Sequence, residues 1–211
     1  NNVLMTVVNT DPECYWLTNY VESYLTHVWY PSTVASLSFD VKKHLANYLA
    51  LQGSDPAAVN FMLHDFGYRG AVTDDAAAIG GAGHLINFMG TDTLVAMLLA
   101  IESYDADVNS LAFSVPASEH SVMTAQGREG EYAVLDQLLD QYPTGILSVV
   151  ADSYDIYAFV NEVCDRKDEI LARDGKFVVR PDSITAKHNT PEDLMLWIVE
   201  TLWATYGGTT T

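Results

Sequence analysis

The chain has 211 residues, 49% hydrophobic and 18% charged, which is enough for one sizeable core and is the composition of a globular chain, not of a disordered one. Its net charge of −18, from 10 basic and 28 acidic residues, excludes the basic footprint of a nucleic-acid partner and sits awkwardly with an anionic substrate. No apolar run reaches the roughly 18 residues of a membrane span, and no basic-then-apolar signal peptide opens the sequence, so a cytoplasmic protein away from membranes is expected.

In chain order, residues 3–8 read as a strand. Thr10-Asp11-Pro12-Glu13 reads as a helix start, with a capping side chain and Pro in the first turn. Leu17, Val21, Tyr24, Leu25 and Val28 recur at helical spacing, and Pro31 is expected to end that helix. A second helix is predicted over 33–51, followed by a turn at 53–56. From Phe61 onward strands (61–63, 86–88, 111–115, 146–150, 177–180) alternate with helices (75–85, 93–104, 129–142, 155–165, 191–206). Such alternation implies a parallel sheet. Five apolar runs stop abruptly in polar clusters, the pattern of an α/β barrel whose active site gathers at strand C-termini. A full barrel needs about 250 residues, so a partial one is expected. Residues 1–58 would flank it as a strand and two helices, and 59–211 would form one incomplete barrel domain. With no initiator Met and an ending in Gly207-Gly208-Thr209-Thr210-Thr211, a fragment truncated at both ends is expected. Cys14 and Cys164 lie in apolar helical patterns and are expected to be buried free thiols.

The candidate chemistry lies beyond the predicted strands. Arg69 and Arg180, two of five arginines, suit bidentate phosphate binding, or equally ion pairs with Asp65 or Asp182. Asp92 suits a cap for the helix starting near Thr93, or a carboxylate accepting a ligand N–H. His120 offers a base or nucleophile, although a lone histidine is more often structural. His64 and His84 are lone histidines too, and His84 is assigned to packing. Asp152 and Asp182 suit orienting an imidazole or holding Mg²⁺, while Asp155 suits a helix cap. Phe66 and Tyr68 are rings that stack on a flat ligand or pack in the core. Together they suggest an enzyme handling a small, planar, phosphorylated substrate.

Six segments carry a closer likeness: Asn9 to Asn19, His64 to Gly70, Asn87 to Thr93, Ser114 to His120, Asp152 to Tyr157, and Arg180 to Ser183. In order and spacing they resemble the nicotinamide phosphoribosyltransferases, over about residues 3–183. The resemblance implies an incomplete α/β barrel of the type II phosphoribosyltransferase kind. It implies synthesis of nicotinamide mononucleotide and pyrophosphate from nicotinamide and phosphoribosyl pyrophosphate. Phe66 would stack on the pyridine and Asp92 would accept the carboxamide N–H. Arg69 and Arg180 would hold phosphate oxygens, and Ser114, Val115, Ala117, Ser148 and Pro181 would line the pocket. His120 would be phosphorylated by ATP. Asp152 and Asp182 would support His120, the ribose and a Mg²⁺ ion bound mainly through pyrophosphate. The intact protein would be a homodimer. A nicotinate-using relative and a non-catalytic binding or signalling relative are the alternatives. Ile184 stands where that family has a glycine, so the loop after Ser183 is expected to run differently.

Overall fold

A computed structural model describes residues 2–3 and 5–208. The chain falls into two compact units, Asn1–Ser114 and Val115–Thr211.

In the first unit, no strand forms among the described residues of the predicted 3–8 segment, and Leu4 lies outside them. Asp11 accepts the Glu13 N–H at 3.0 Å and starts a 3-10 turn, Pro12–Cys14, not a full helix. Two helices follow, α1 (Leu17–Thr26) and α2 (Trp29–Gln52). Pro31 does not end a helix. It sits in the first turn of α2, where no N–H is required and the proline φ suits the helix. Gly53 at φ 68° closes α2. Then come β1 (His64–Asp65), α3 (Asp74–Leu85), β2 (Gly90–Thr91) and α4 (Leu94–Tyr104). Thr73 caps α3 by accepting the Ala76 N–H at 3.1 Å. The helices α3 and α4 meet closely at Gly81, where a Cβ would stand 2.5 Å from that of Ala96.

β1 and β2 pair in parallel, His64 with Gly90 and Asp65 with Thr91. The strands predicted at 61–63 and 86–88 thus form a few residues later. Phe61 still belongs to a 3-10 turn, and Phe88 is a buried plug whose N–H bonds back to His84 at 3.1 Å. The strand predicted at 111–115 reduces to one bridge, Phe113 with Gly90, because Ala112 at φ 62° breaks the extended run.

The second unit contains α5 (His120–Met123), α6 (Glu131–Gln141), β3 (Thr144–Val150), α7 (Ile156–Asp165), α8 (Lys167–Ala172), β4 (Asp174–Arg180) and α9 (Pro191–Tyr206). Seven pairs, from Thr144–Asp174 to Val150–Arg180, join β3 and β4 in parallel. Its core brings Leu135, Leu147, Val149, Phe159, Val163 and Ile198 together, each nearly inaccessible to solvent. Helices separated by short parallel strands make this an α/β protein. Among the described residues the strands form two two-stranded sheets.

Cys14 and Cys164 are free, but both are only half-buried, Cys14 because it ends an exposed 3-10 turn. Among the described residues no helix is long and apolar enough to cross a membrane.

His84 packs as expected. Its ring stacks on Phe88 at 5.3 Å, its Nε2–H donates to the Gly90 carbonyl at 3.0 Å, and Nδ1 faces the Ser38 hydroxyl at 3.4 Å. Burial pushes its pKa below the ordinary 6.5 against the upward pull of the Gly90 bond and Asp65; His64 adds to the depression. The unfolded chain therefore binds the proton more readily. The stability from neutral His84 is complete above pH 6.5 and is lost as pH falls from there through the lower folded value. Acid also relieves repulsion in a chain of charge −18, so the contribution must be read as a difference. His84→Gln should lower the thermal midpoint at pH 8, and the gap to the wild type should narrow between pH 6.5 and 5. A constant gap across that range would show that His84 does not titrate on unfolding.

Candidate active site

In the first unit the site grows from the end of the β1–β2 ladder. Asp92 follows β2 directly, and its N–H continues the ladder by donating to the Asp65 carbonyl at 2.9 Å. The Asp65 carboxylate is committed locally: Oδ1 accepts the Gly67 N–H at 2.8 Å and Oδ2 the Thr91 hydroxyl at 3.2 Å. Thr91 Oγ1 in turn accepts the Thr93 N–H at 3.0 Å.

Asp92 does not cap α4 with its side chain. The carboxylate turns the other way, and Oδ1 accepts the Ser114 hydroxyl at 2.5 Å and His64 Nε2 at 3.0 Å. A carboxylate only accepts, so Nε2 carries the proton. The Asp92 side chain remains 43% exposed. The His64 ring lies against Phe66 at 4.6 Å, and the Phe66 ring is itself exposed. His64 was missed as a site residue. Its partner is 28 residues away, and only the parallel register brings them together. The nearby signal was its position two residues before Phe66.

Arg69 lies in a 3-10 turn, Gly67–Gly70. The Tyr68 hydroxyl donates to Asp74 at 2.9 Å, which raises the phenol pKa. His64, Asp65 and Phe66 also border a cavity of ≈ 310 Å³ whose other walls include Tyr30, His84 and Thr93.

In the second unit β3 and β4 set the geometry. Val150 and Arg180 are the last registered pair, and the Ala151 N–H donates to the Arg180 carbonyl at 3.0 Å. Asp152 and Asp182 each follow two residues later, so adjacent strand ends deliver them at the same level. On its other edge β3 receives the loop before α5. Ala117 bridges to Ser148, the Ser148 N–H donates to the Pro116 carbonyl and the Ser118 N–H to the Ser148 carbonyl, both at 2.9 Å. The Ser118 hydroxyl accepts the Val150 N–H at 3.0 Å. Two residues on, His120 opens α5.

His120 Nε2 lies 3.2 Å from Asp152 Oδ1 and 3.9 Å from Asp182 Oδ2. The Asp152 side chain is 7% exposed, whereas His120 is 42% and Asp182 56% exposed. Asp152 Oδ2 is buried with no hydrogen-bond partner among the described residues. The Nε2–H bond to Asp152 leaves the lone pair on Nδ1, a suitable arrangement for a nucleophile or base steadied by a carboxylate. Asp155 acts as a cap, accepting the Tyr157 and Ala158 N–H groups at 3.0 and 3.2 Å.

The first unit therefore joins Asp92 to Ser114 directly and to Phe66 through His64. The second joins His120, Asp152 and Asp182, and pairs Ala117 with Ser148. Val115 is exposed, Pro181 lies beside Asp182, and Arg180 is the half-buried last residue of β4. Among the described residues no group of three or more His, Cys, Asp or Glu is arranged to hold a metal ion.

Comparison with known proteins returns one family throughout. The model described as the nicotinate phosphoribosyltransferase (NAPRTase) family matches residues 61–211. The nicotinamide phosphoribosyltransferase of Xanthomonas campestris pv. campestris is 45% identical over 188 residues, covering 87% of this chain and 40% of the relative. Those of Acinetobacter baylyi and Mycoplasma pneumoniae are 36% and 32% identical, covering 99% and 98% of this chain and 44% and 46% of theirs. The chain spans less than half the length of these curated relatives.

Gly90 tests the His64–Asp92 geometry. A Cβ there would stand 2.7 Å from His64 Nδ1. Gly90→Ala should push the ring off Asp92 and destabilise the unit by about 1–3 kcal/mol, as overpacking does. Adding His64→Ala should recover part of that loss in chemical denaturation. Fully additive losses would mean that the two residues do not meet.

Proposed function

The chain belongs to the nicotinate phosphoribosyltransferase family, and we propose that the complete protein condenses nicotinamide with phosphoribosyl pyrophosphate to give nicotinamide mononucleotide and pyrophosphate. The observation that carries this reading is Asp92, a half-exposed carboxylate fixed by Ser114 and His64 beside the exposed Phe66 ring. Both of those bonds fall on Oδ1, and we assign Oδ2 to the carboxamide N–H. Nicotinate offers no N–H there and brings a like charge, so Asp92 favours the amide. The names of the three relatives support the same choice. The name of the family model points to nicotinate, and competition between the two substrates decides between them.

The remaining roles follow the chemistry of each side chain. Phe66 stacks on the pyridine. Arg69 and Arg180 hold phosphate and pyrophosphate oxygens through bidentate bonds. Val115, Ala117, Ser148 and Pro181 line the pocket. The pyridine nitrogen attacks the ribose C1 while the bond from C1 to pyrophosphate breaks, so positioning and charge stabilisation supply most of the rate. The uncommitted Oδ2 of Asp152 and the exposed Asp182 are hard oxygen donors that would help hold a Mg²⁺ ion bound mainly through pyrophosphate. When bound, it neutralises charge on the leaving group. His120, steadied by Asp152, accepts the γ-phosphoryl group of ATP, whose hydrolysis is thereby coupled to synthesis. The fold we assign is a partial (β/α) barrel of the type II phosphoribosyltransferase kind, supported by parallel strands that alternate with helices. The intact enzyme is read as a cytoplasmic homodimer.

Two measurements on the complete protein test this. Asp92→Ala removes a charged acceptor worth about 1.5–3 kcal/mol and should raise the nicotinamide Kd roughly ten- to a hundred-fold. An unchanged Kd removes Asp92 from the site. His120→Ala should abolish stimulation by ATP while leaving basal synthesis, and a mutant that ATP still stimulates would refute the phosphohistidine role.

A further inference from the structure

Asp182 is 3.9 Å from His120, beyond hydrogen-bond range, so their mutual attraction does not fix the contact. Its position depends on what anchors the backbone on either side. Upstream the anchor is β4, ending at Arg180. Downstream, residues 183–190 lie outside any helix or strand, yet they are held by a compact cluster.

Thr185 and His188 close this segment on itself. The Thr185 N–H donates to the His188 carbonyl at 3.0 Å, and the His188 N–H to Thr185 Oγ1 at 2.9 Å. Tyr157, in the first turn of α7, reaches both residues: its hydroxyl is 2.5 Å from Thr185 Oγ1 and 2.9 Å from His188 Nδ1. The Tyr157 ring meets Trp197 of α9 edge-on at 4.7 Å, the His188 ring lies along Trp197 at 6.0 Å, and Lys187 Nζ sits over the Tyr157 face at 4.9 Å. The turn is thus tied to α7 and α9 together. Ile184 keeps an ordinary negative φ; outside glycine, only Asp105 and Ala112 among the described residues are positive. The path of the loop is therefore set by its side-chain bonds and not by a flexible pivot.

We propose that Tyr157, Thr185 and His188 form a clasp that positions Asp182 against His120. They are positioning residues and touch neither reacting atoms nor substrate. Asp152 needs no such device, because it is nearly buried and bonds directly to His120. The clasp acts on the exposed member of the pair alone.

The test uses the complete protein with labelled histidine. The His120 ring signals are assigned by their loss in His120→Gln. Tyr157→Phe keeps the ring against Trp197 and removes both hydroxyl bonds. It should move the His120 signals in the direction that Asp182→Asn moves them and add nothing in the double variant. His188→Ala should behave alike, and His188→Gln, which keeps an acceptor for the Tyr157 hydroxyl, should restore most of the wild-type signal. His120 signals that stay put in Tyr157→Phe, or shifts that add in the double variant, overturn the clasp. A kinetic arm rests on the function proposed above: Tyr157→Phe and Asp182→Asn should each raise KM for phosphoribosyl pyrophosphate about three- to ten-fold, without multiplying when combined. A wild type that makes no nucleotide would defeat that functional reading, while the ring signals would still decide the clasp.

Discussion

A carboxylate delivered just beyond the last paired residue of a parallel ladder recurs in both units, and the candidate chemistry depends on it. Strand pairing ends at Thr91, Val150 and Arg180, and Asp92, Asp152 and Asp182 follow within two residues. The ladder satisfies its own backbone groups up to that point, and the Asp92 N–H makes one more bond, to the Asp65 carbonyl. An acid in that position needs donors or water, since an unpaired buried charge is costly. His64 and Ser114 supply them to Asp92, and His120 supplies one to Asp152. Histidine and acid are therefore structurally interdependent, because each carboxylate holds the proton of its histidine on Nε2.

This constraint bears on the acidic balance of the chain. A chain of charge −18 has few cations, so the place of each one matters. Three of its five arginines serve the fold. Arg166 bridges Asp136 and Glu162, Arg173 donates to the Tyr142 carbonyl, and Arg128 lies over Tyr154 at 5.3 Å. Arg69 lies in the turn that follows Phe66, and Arg180 ends β4 two residues before Asp182.

The helices were the most legible part of the sequence. Those predicted over 75–85, 93–104, 155–165 and 191–206 form within a residue of their expected limits, because caps such as Asp155 and Thr190 and long apolar periodicity act locally. β3 and β4 were legible as continuous apolar runs. β1 and β2 were not, since two-residue strands carry no period and their place is set by pairing. The short helices α5 and α8 escaped for the same reason. Pro31 misled because one residue type both stops helices and starts them. At the site, Asp152 and Asp182 were named together with His120. The side-chain bonds of Asp92 and the part played by His64 depend on contacts 22 to 28 residues apart, which spacing does not encode.

The three acids also differ in a way that residue type alone hides. Asp152 is nearly buried, bonded to His120 through one oxygen and uncommitted at the other. Asp182 is exposed, and its loop is tied to two helices through Tyr157, His188 and Trp197. Its neighbours hold it through side-chain bonds, whereas Asp152 follows the fully buried Ala151 at the end of β3. Asp92 lies between these extremes: half-exposed, yet gripped by two donors on one oxygen. Water still reaches its carboxylate, and the two donors on Oδ1 fix its direction.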